Sequence, residues 1–201
     1  MSEHPPGARA EWHDVLLRLA GWLADDDLTR AREFLAAGRL DELAGLIAGA
    51  VDTGLVPYSP GDAERLRRLL TGYVDDPSVV DAGIRRQMEQ PPGDFAPVPP
   101  WGIGPSVVDE IDQAAVDAAR KTTVSGLRRV WRYPPTGLQS PRRVYLAETP
   151  AGADPVEVTG LLQQALAEAG EAAPQVEAYS AGTPLPDYHR AALAGAEALP
   201  I

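Results

Sequence analysis

From Arg9 to Gln90, apolar residues recur at intervals of three and four, which is the spacing of amphipathic helices. The clearest stripe lies between Ala10 and Leu23 and contains Trp12, Val15, Leu16, Leu19 and Leu23. Further helices are predicted at 27–38, at 40–54, after the cap Ser59 and after Asp76-Pro77. Because such short helices need tertiary burial to be stable, the pattern predicts an antiparallel helical bundle.

Proline interrupts this pattern at residues 91–105, which contain six prolines. Each proline lacks a backbone donor and has a fixed φ, so neither a helix nor a central strand is expected there. The sequence therefore predicts a helical bundle at 1–90, a proline-rich linker at 91–105 and a second domain at 106–201.

The second domain alternates between helical and strand patterns. Ser106 and Asp109 have the spacing of a capping box, which predicts a helix to Arg120. Later elements are predicted as strands at 127–133, 143–148 and 175–180 and as helices at 154–170 and 186–199. The first two strands should form a hairpin, and the strand–helix–strand order predicts a parallel crossover. The predicted fold class is α+β: a helical bundle followed by a small α/β domain with a three-stranded mixed sheet.

Composition narrows the classes of function. The chain has 201 residues, no cysteine and a formal net charge of -11. Lack of cysteine excludes disulfide scaffolds, thiol nucleophiles and cysteine-ligated metals. The longest uncharged apolar run, Leu43 to Val51, is far shorter than the ~20 residues of a membrane span. We expect a cytoplasmic protein without a membrane segment, cofactor or metal.

The charge is segregated along the chain. No acidic residue occurs from Lys121 to Ala147, whereas basic residues accumulate at Arg120, Lys121, Arg128, Arg129, Arg132, Arg142 and Arg143. Strand alternation predicts that Arg129, Trp131 and Tyr133 face the core together with Val144 and Leu146. The outward face would then present Arg128, Arg132, Arg143 and Tyr145, which are the candidate partner-binding residues.

Three occupants could cover this arginine face. The first is the acidic helix before it, which carries Asp109, Glu110, Asp112 and Asp117. The second is an acidic surface of another protein molecule, either a different protein or another copy of the chain, since guanidinium groups bind carboxylates in a bidentate manner. The third is single-stranded nucleic acid, which binds to basic sheet faces with aromatic side chains. We expect a non-enzymatic interaction module of adaptor, regulator or immunity type, with nucleic-acid binding as an alternative.

A different site is possible at the carboxyl edge of the sheet, where ligands gather in α/β folds. Tyr179, Ser180, Thr183, Asp187 and His189 could converge there. His189 would then be the acid or base of a small-molecule enzyme, or part of a ligand sensor. No nucleophile elbow accompanies these residues, so no catalytic residue is assigned.

Overall fold

The computed structural model describes residues 7–53, 59–71, 73, 80, 93–99, 107–133 and 141–201. Contacts divide the chain into two compact units, Met1–Pro91 and Pro92–Ile201. Apart from Val80, the predicted helix after Asp76 lies outside the described residues, as does the loop of the predicted hairpin at residues 134–140.

The first unit is helical, as predicted. The helices within its described residues are α1 (Ala8–Leu19), α2 (Asp25–Ala36), α3 (Leu40–Asp52) and α4 (Pro60–Leu70). α1 and α3 each contact both α2 and α4, so the four helices surround one core. That core contains Trp12, Leu16, Leu28, Leu35, Leu43, Ile47, Leu66 and Leu70. The predicted cap of α4 is present, since the Ser59 hydroxyl accepts a hydrogen bond from the Asp62 amide at 3.1 Å.

The second unit combines a mixed sheet with helices. Its elements are β1 (Asp94–Ala96), α5 (Glu110–Ala119), β2 (Gly126–Tyr133), β3 (Arg142–Thr149), α6 (Pro155–Glu168), β4 (Gln175–Ser180), α7 (Asp187–Ala194) and β5 (Glu197–Leu199). β2 and β3 are antiparallel, and β3 and β4 are parallel with α6 in the crossover. The predicted hairpin and crossover are therefore both present.

The predicted three-stranded sheet is wrong, because two short strands extend it to five. β5 pairs with residues 127–129 and β1 with residues 131–133, both on the edge of β2 opposite β3. β1 comes from the segment predicted as a linker, at Asp94–Ala96, where proline is absent. β5 occupies the end of the helix predicted at 186–199. α7 instead ends at Ala194, and a Cβ on the next residue, Gly195, would lie 3.1 Å from the Phe95 carbonyl oxygen.

Helices cover both faces of the sheet. On the two-helix face, α5 and α6 pack over Leu127, Tyr145, Ala147, Val176 and Ala178. On the one-helix face, α7 packs over Val130, Val144, Leu146 and Tyr179. Each strand therefore has apolar residues on both sides.

The start of α5 differs from the predicted capping box. The cap is Asp109, whose carboxylate accepts the Asp112 amide at 2.9 Å, while the Asp109 amide donates to the Asp112 carboxylate at 3.3 Å. The same motif is thus formed three residues later than expected. Asp109 can cap and also reach the sheet, which brings its charge to the arginines of β2 and β3.

Candidate functional site

The four predicted partner-binding residues do not share one outward face. Val144 lies opposite Val130 and Arg143 lies opposite Trp131. Alternation consequently places Arg143 and Tyr145 on the two-helix face, whereas Arg128 and Arg132 lie on the one-helix face. The expectation that Val144 and Leu146 share a core with Trp131 is therefore wrong.

Burial differs strongly among these four residues. Tyr145 is 1% exposed and Arg132 is 7% exposed, so neither is available to a partner at the surface. The Arg143 side chain is 9% exposed. Arg128 is the exposed residue of β2. The contiguous arginine and tyrosine platform expected for nucleic acid is not formed by these residues.

Asp112 is the centre of a buried polar network on the two-helix face. Its side chain is fully buried and forms an ion pair with Arg129. It also accepts hydrogen bonds from the Tyr145 hydroxyl at 2.8 Å and from Arg143 Nη1 at 3.2 Å. We call Asp109, Asp112, Arg129, Arg143, Tyr145 and Glu197 the arginine–aspartate cluster. Burial of the polar groups of Arg129, Arg143 and Tyr145 without a partner would be costly. The buried Asp112 carboxylate accepts their hydrogen bonds and so offsets part of this cost.

Asp109 and Arg143 form the outer part of this cluster. Arg143 Nη1 and Nη2 donate to the two carboxylate oxygens of Asp109 at 2.7 and 2.6 Å, which is a bidentate geometry. The Asp109 side chain remains 48% exposed. The guanidinium carbon of Arg143 also lies 4.9 Å from the centre of the Trp131 ring, within cation–π range.

Arg129 connects the cluster to the segment before α5 and to the C-terminal strand β5. Its side chain is 3% exposed and binds Glu197 of β5 at 3.0 Å. Its Nη1 also donates to the Val107 carbonyl oxygen at 3.4 Å. One buried arginine thus holds the segment before α5, the buried Asp112 and the C-terminal strand.

The electrostatics follow from this pairing. Burial raises the pKa of Asp109, but hydrogen bonds from Arg143 and from the Asp112 amide outweigh it, so the net pKa is lowered. Burial lowers the pKa of Arg143, yet its bonds to Asp109 and Tyr145 raise the net pKa. Burial and the charge of Asp112 raise the pKa of the Tyr145 phenol. The lowered pKa of Asp109 and the raised pKa of Arg143 both favour the ionised pair.

Two of the four acidic residues considered on the preceding helix contact the arginines. These are Asp109 and Asp112. Asp117 instead contacts Gln113 and Arg120, and Glu110 is exposed. Sequence reasoning missed Val107 and Glu197. The carbonyl of Val107 has no sequence signal, and Glu197 was assigned to a helix.

The five residues of the predicted ligand pocket lie in different environments. Tyr179 packs in the core under α7, and burial raises the pKa of its phenol. Thr183 and Asp187 are exposed, and Asp187 pairs with Arg190. Ser180 ends β4 and is half-buried.

His189 is turned into the sheet. It is fully buried, and its Nε2 lies 3.1 Å from Oε2 of Glu177, which is also fully buried. Tyr188 beside it stacks edge-on against Phe95 and receives a 3.4 Å contact from Arg132. This arrangement joins α7 to β4 and β2, and it does not place His189 beside Thr183 or Asp187 at the surface.

A metal-binding cluster and a membrane-spanning helix are both absent from the described residues. No group of three or more potential metal-ligating side chains occurs there. Nor does that part of the chain contain a helix long and apolar enough to cross a membrane. Comparison with protein-family models, curated proteins and solved structures finds no match to this chain.

Proposed function

We propose that the protein is a non-enzymatic protein-interaction module of the adaptor, regulator or immunity type, acting in the cytoplasm on a partner with basic residues. The observation that carries the proposal is the pairing of Arg129 and Arg143 with Asp112 and Asp109. This pairing removes two positive charges of the acid-free segment from the surface. Among the described residues of the second unit, exposed acidic side chains outnumber exposed basic ones.

The exposed charges of α5 and α6 support a basic partner. Exposed acidic residues of α5 and α6 are Glu110, Asp117, Glu157 and Glu168. The chain as a whole has a formal charge of -11. Such a surface attracts a cationic partner and accelerates its association at low salt.

The other expected partners have less support. An acidic protein would need the buried Arg143 and Arg132. A second copy would bring another chain with the same net charge of -11. Nucleic acid would meet the same repulsion, without a continuous exposed platform. The proposal therefore concerns a basic protein.

An unbiased peptide selection tests this function. The full-length protein is immobilised and used to select from a displayed library of random dodecapeptides. We expect enrichment of sequences with net positive charge, and loss of the enriched clones in high salt. Enrichment of acidic sequences, or no enrichment over a surface without protein, would overturn the proposal.

A further inference from the structure

We propose that the partner docks on the segment Val107–Glu110 together with the Glu197 carboxylate, and that it presents an arginine or lysine beside an aliphatic side chain. We call Val107–Glu110 the anchored segment. This inference rests on the proposed function and adds the location of the surface and the chemistry of the partner.

The anchored segment exposes two adjacent apolar side chains. Val107 is 77% exposed and Val108 is 41% exposed. In the described residues, the other large apolar side chains with comparable exposure are Leu161 on α6 and Ile201 after β5. Adjacent exposed aliphatic residues rimmed by polar groups are typical of interaction sites.

The segment is held to the sheet from beneath. Arg129 donates to the Val107 carbonyl oxygen at 3.4 Å, and Arg143 holds the Asp109 carboxylate with bonds of 2.7 and 2.6 Å. Asp109 also has an extended backbone, with φ -96° and ψ -175°. A surface that is already ordered costs less conformational entropy on binding.

Carboxylates surround the two valines. Glu110 is exposed, and the side chains of Asp109 and Glu197 are 48% and 44% exposed. Glu197 binds the same Arg129 that holds Val107, so its carboxylate lies beside the anchored segment. The cations that pair with Glu197 and Asp109 are Arg129 and Arg143, whose side chains are only 3% and 9% exposed. Charge complementarity therefore requires a basic partner, and the valines require an aliphatic group next to its charge.

α6 provides a matched control surface. Leu161 is 45% exposed and lies between the exposed Glu157 and Glu168 on the same helix. The surface around Leu161 has a similar composition, but it lacks an extended segment held by buried arginines. Non-specific attraction to acidic and apolar groups would act equally on both surfaces.

The test measures fluorescence anisotropy of a fluorescein-labelled octapeptide of alternating leucine and arginine with the full-length protein. The variants are Val107→Ser with Val108→Ser, Glu110→Lys, and Leu161→Ser as the control. Each altered residue is exposed, and circular dichroism verifies that the fold is retained. We expect the valine variant and the Glu110 variant each to weaken binding at least about tenfold, and Leu161→Ser to change it less than about twofold. A peptide of alternating leucine and glutamate should not bind.

Other outcomes separate the two proposals. If all variants weaken peptide binding equally, or if only Leu161→Ser weakens it, the anchored segment is not the docking surface. Either result would leave the proposal of a basic partner intact. Failure of the wild type to bind the peptide would also overturn the docking inference. The function itself would fail only if the random-peptide selection gave acidic sequences or none.

Discussion

At the scale of single residues, Asp112 is the side chain on which the cluster depends most. It is fully buried and accepts hydrogen bonds from Arg129, Arg143 and Tyr145. Removing one partner of a buried charged group leaves the others without compensation, which costs far more than the net value of the pair.

Replacing Asp112 with Ala should therefore strongly destabilise the second unit. We expect a loss of about 3–5 kcal/mol in the free energy of unfolding, because buried Arg129 would lose its buried carboxylate partner and keep only the half-exposed Glu197. Chemical denaturation followed by tryptophan fluorescence measures this change. The control is Asp117→Ala, an exposed position of the same helix, where a change within about 0.5 kcal/mol is expected. Equal effects of the two substitutions would contradict the central role of Asp112.

Asp109 predicts a specific dependence of stability on pH. Its pKa is lowered in the folded protein, so the folded state favours its ionised form. The resulting stabilisation is complete above the unfolded-state pKa of about 4 and is lost as the pH falls through the lower folded-state pKa. We expect the wild type to be more stable than Asp109→Asn at pH 7, with a difference that shrinks below about pH 4. A difference that grows on acidification would show that the sign is wrong.

At the scale of elements, the existence of most helices and of the three long strands follows from their apolar spacing. The assignment of the β3 side chains to the two faces of the sheet does not follow from this spacing. Because helices cover both sides of the sheet, Val144 and Tyr145 are both buried, and alternation alone cannot say which of them lies beside Trp131. A shift of one residue in register moves every side chain to the other face. The predicted grouping of Arg143 with Arg128 failed for this reason.

The two short strands, β1 and β5, lie below the length at which a sequence pattern can be recognised. β1 and β5 have three residues each. Their positions depend on contacts that are distant in sequence, such as the bond between Glu197 and Arg129 at 3.0 Å. These are the same contacts that complete the candidate site, so the site could be predicted only in part. Asp109 and Asp112 were candidates from charge, whereas Val107 and Glu197 required the tertiary structure.

Substitution of Gly195 tests the close packing of β1 against the residue that follows α7. A Cβ there would lie 3.1 Å from the Phe95 carbonyl oxygen and 3.3 Å from its carbonyl carbon. Gly195→Ala should therefore push β1 away and cost about 1 kcal/mol, as overpacking does. Hydrogen exchange should increase at residues 94–96. Gly45→Ala is the matched control, since its Cβ would meet nothing within 4 Å inside α3, and a gain of about 0.5–1 kcal/mol is expected.

At the scale of the whole molecule, the central feature is the position of the charged residues in the second unit. The acid-free segment from Lys121 to Ala147 supplies arginines that neutralise Asp109 and Asp112, and Arg129 also binds Glu197. The second unit therefore buries Arg129, Arg132 and Arg143, leaves Arg128 exposed, and carries exposed acidic groups on α5 and α6. The proposed docking surface follows from this distribution, since the buried arginines order a segment whose exposed groups are valines and carboxylates.

The most direct measurement is a double-mutant cycle between Asp109 and Arg143, using Asp109→Asn, Arg143→Met and the double variant. The bidentate pair predicts a coupling of about 1–3 kcal/mol in the free energy of unfolding. A parallel cycle between Glu110 and Arg143 should give a coupling within the additive limit of about 0.5 kcal/mol. Additive effects for Asp109 and Arg143, equal to those of the Glu110 cycle, would contradict the claim that internal carboxylates bind the arginines of the acid-free segment.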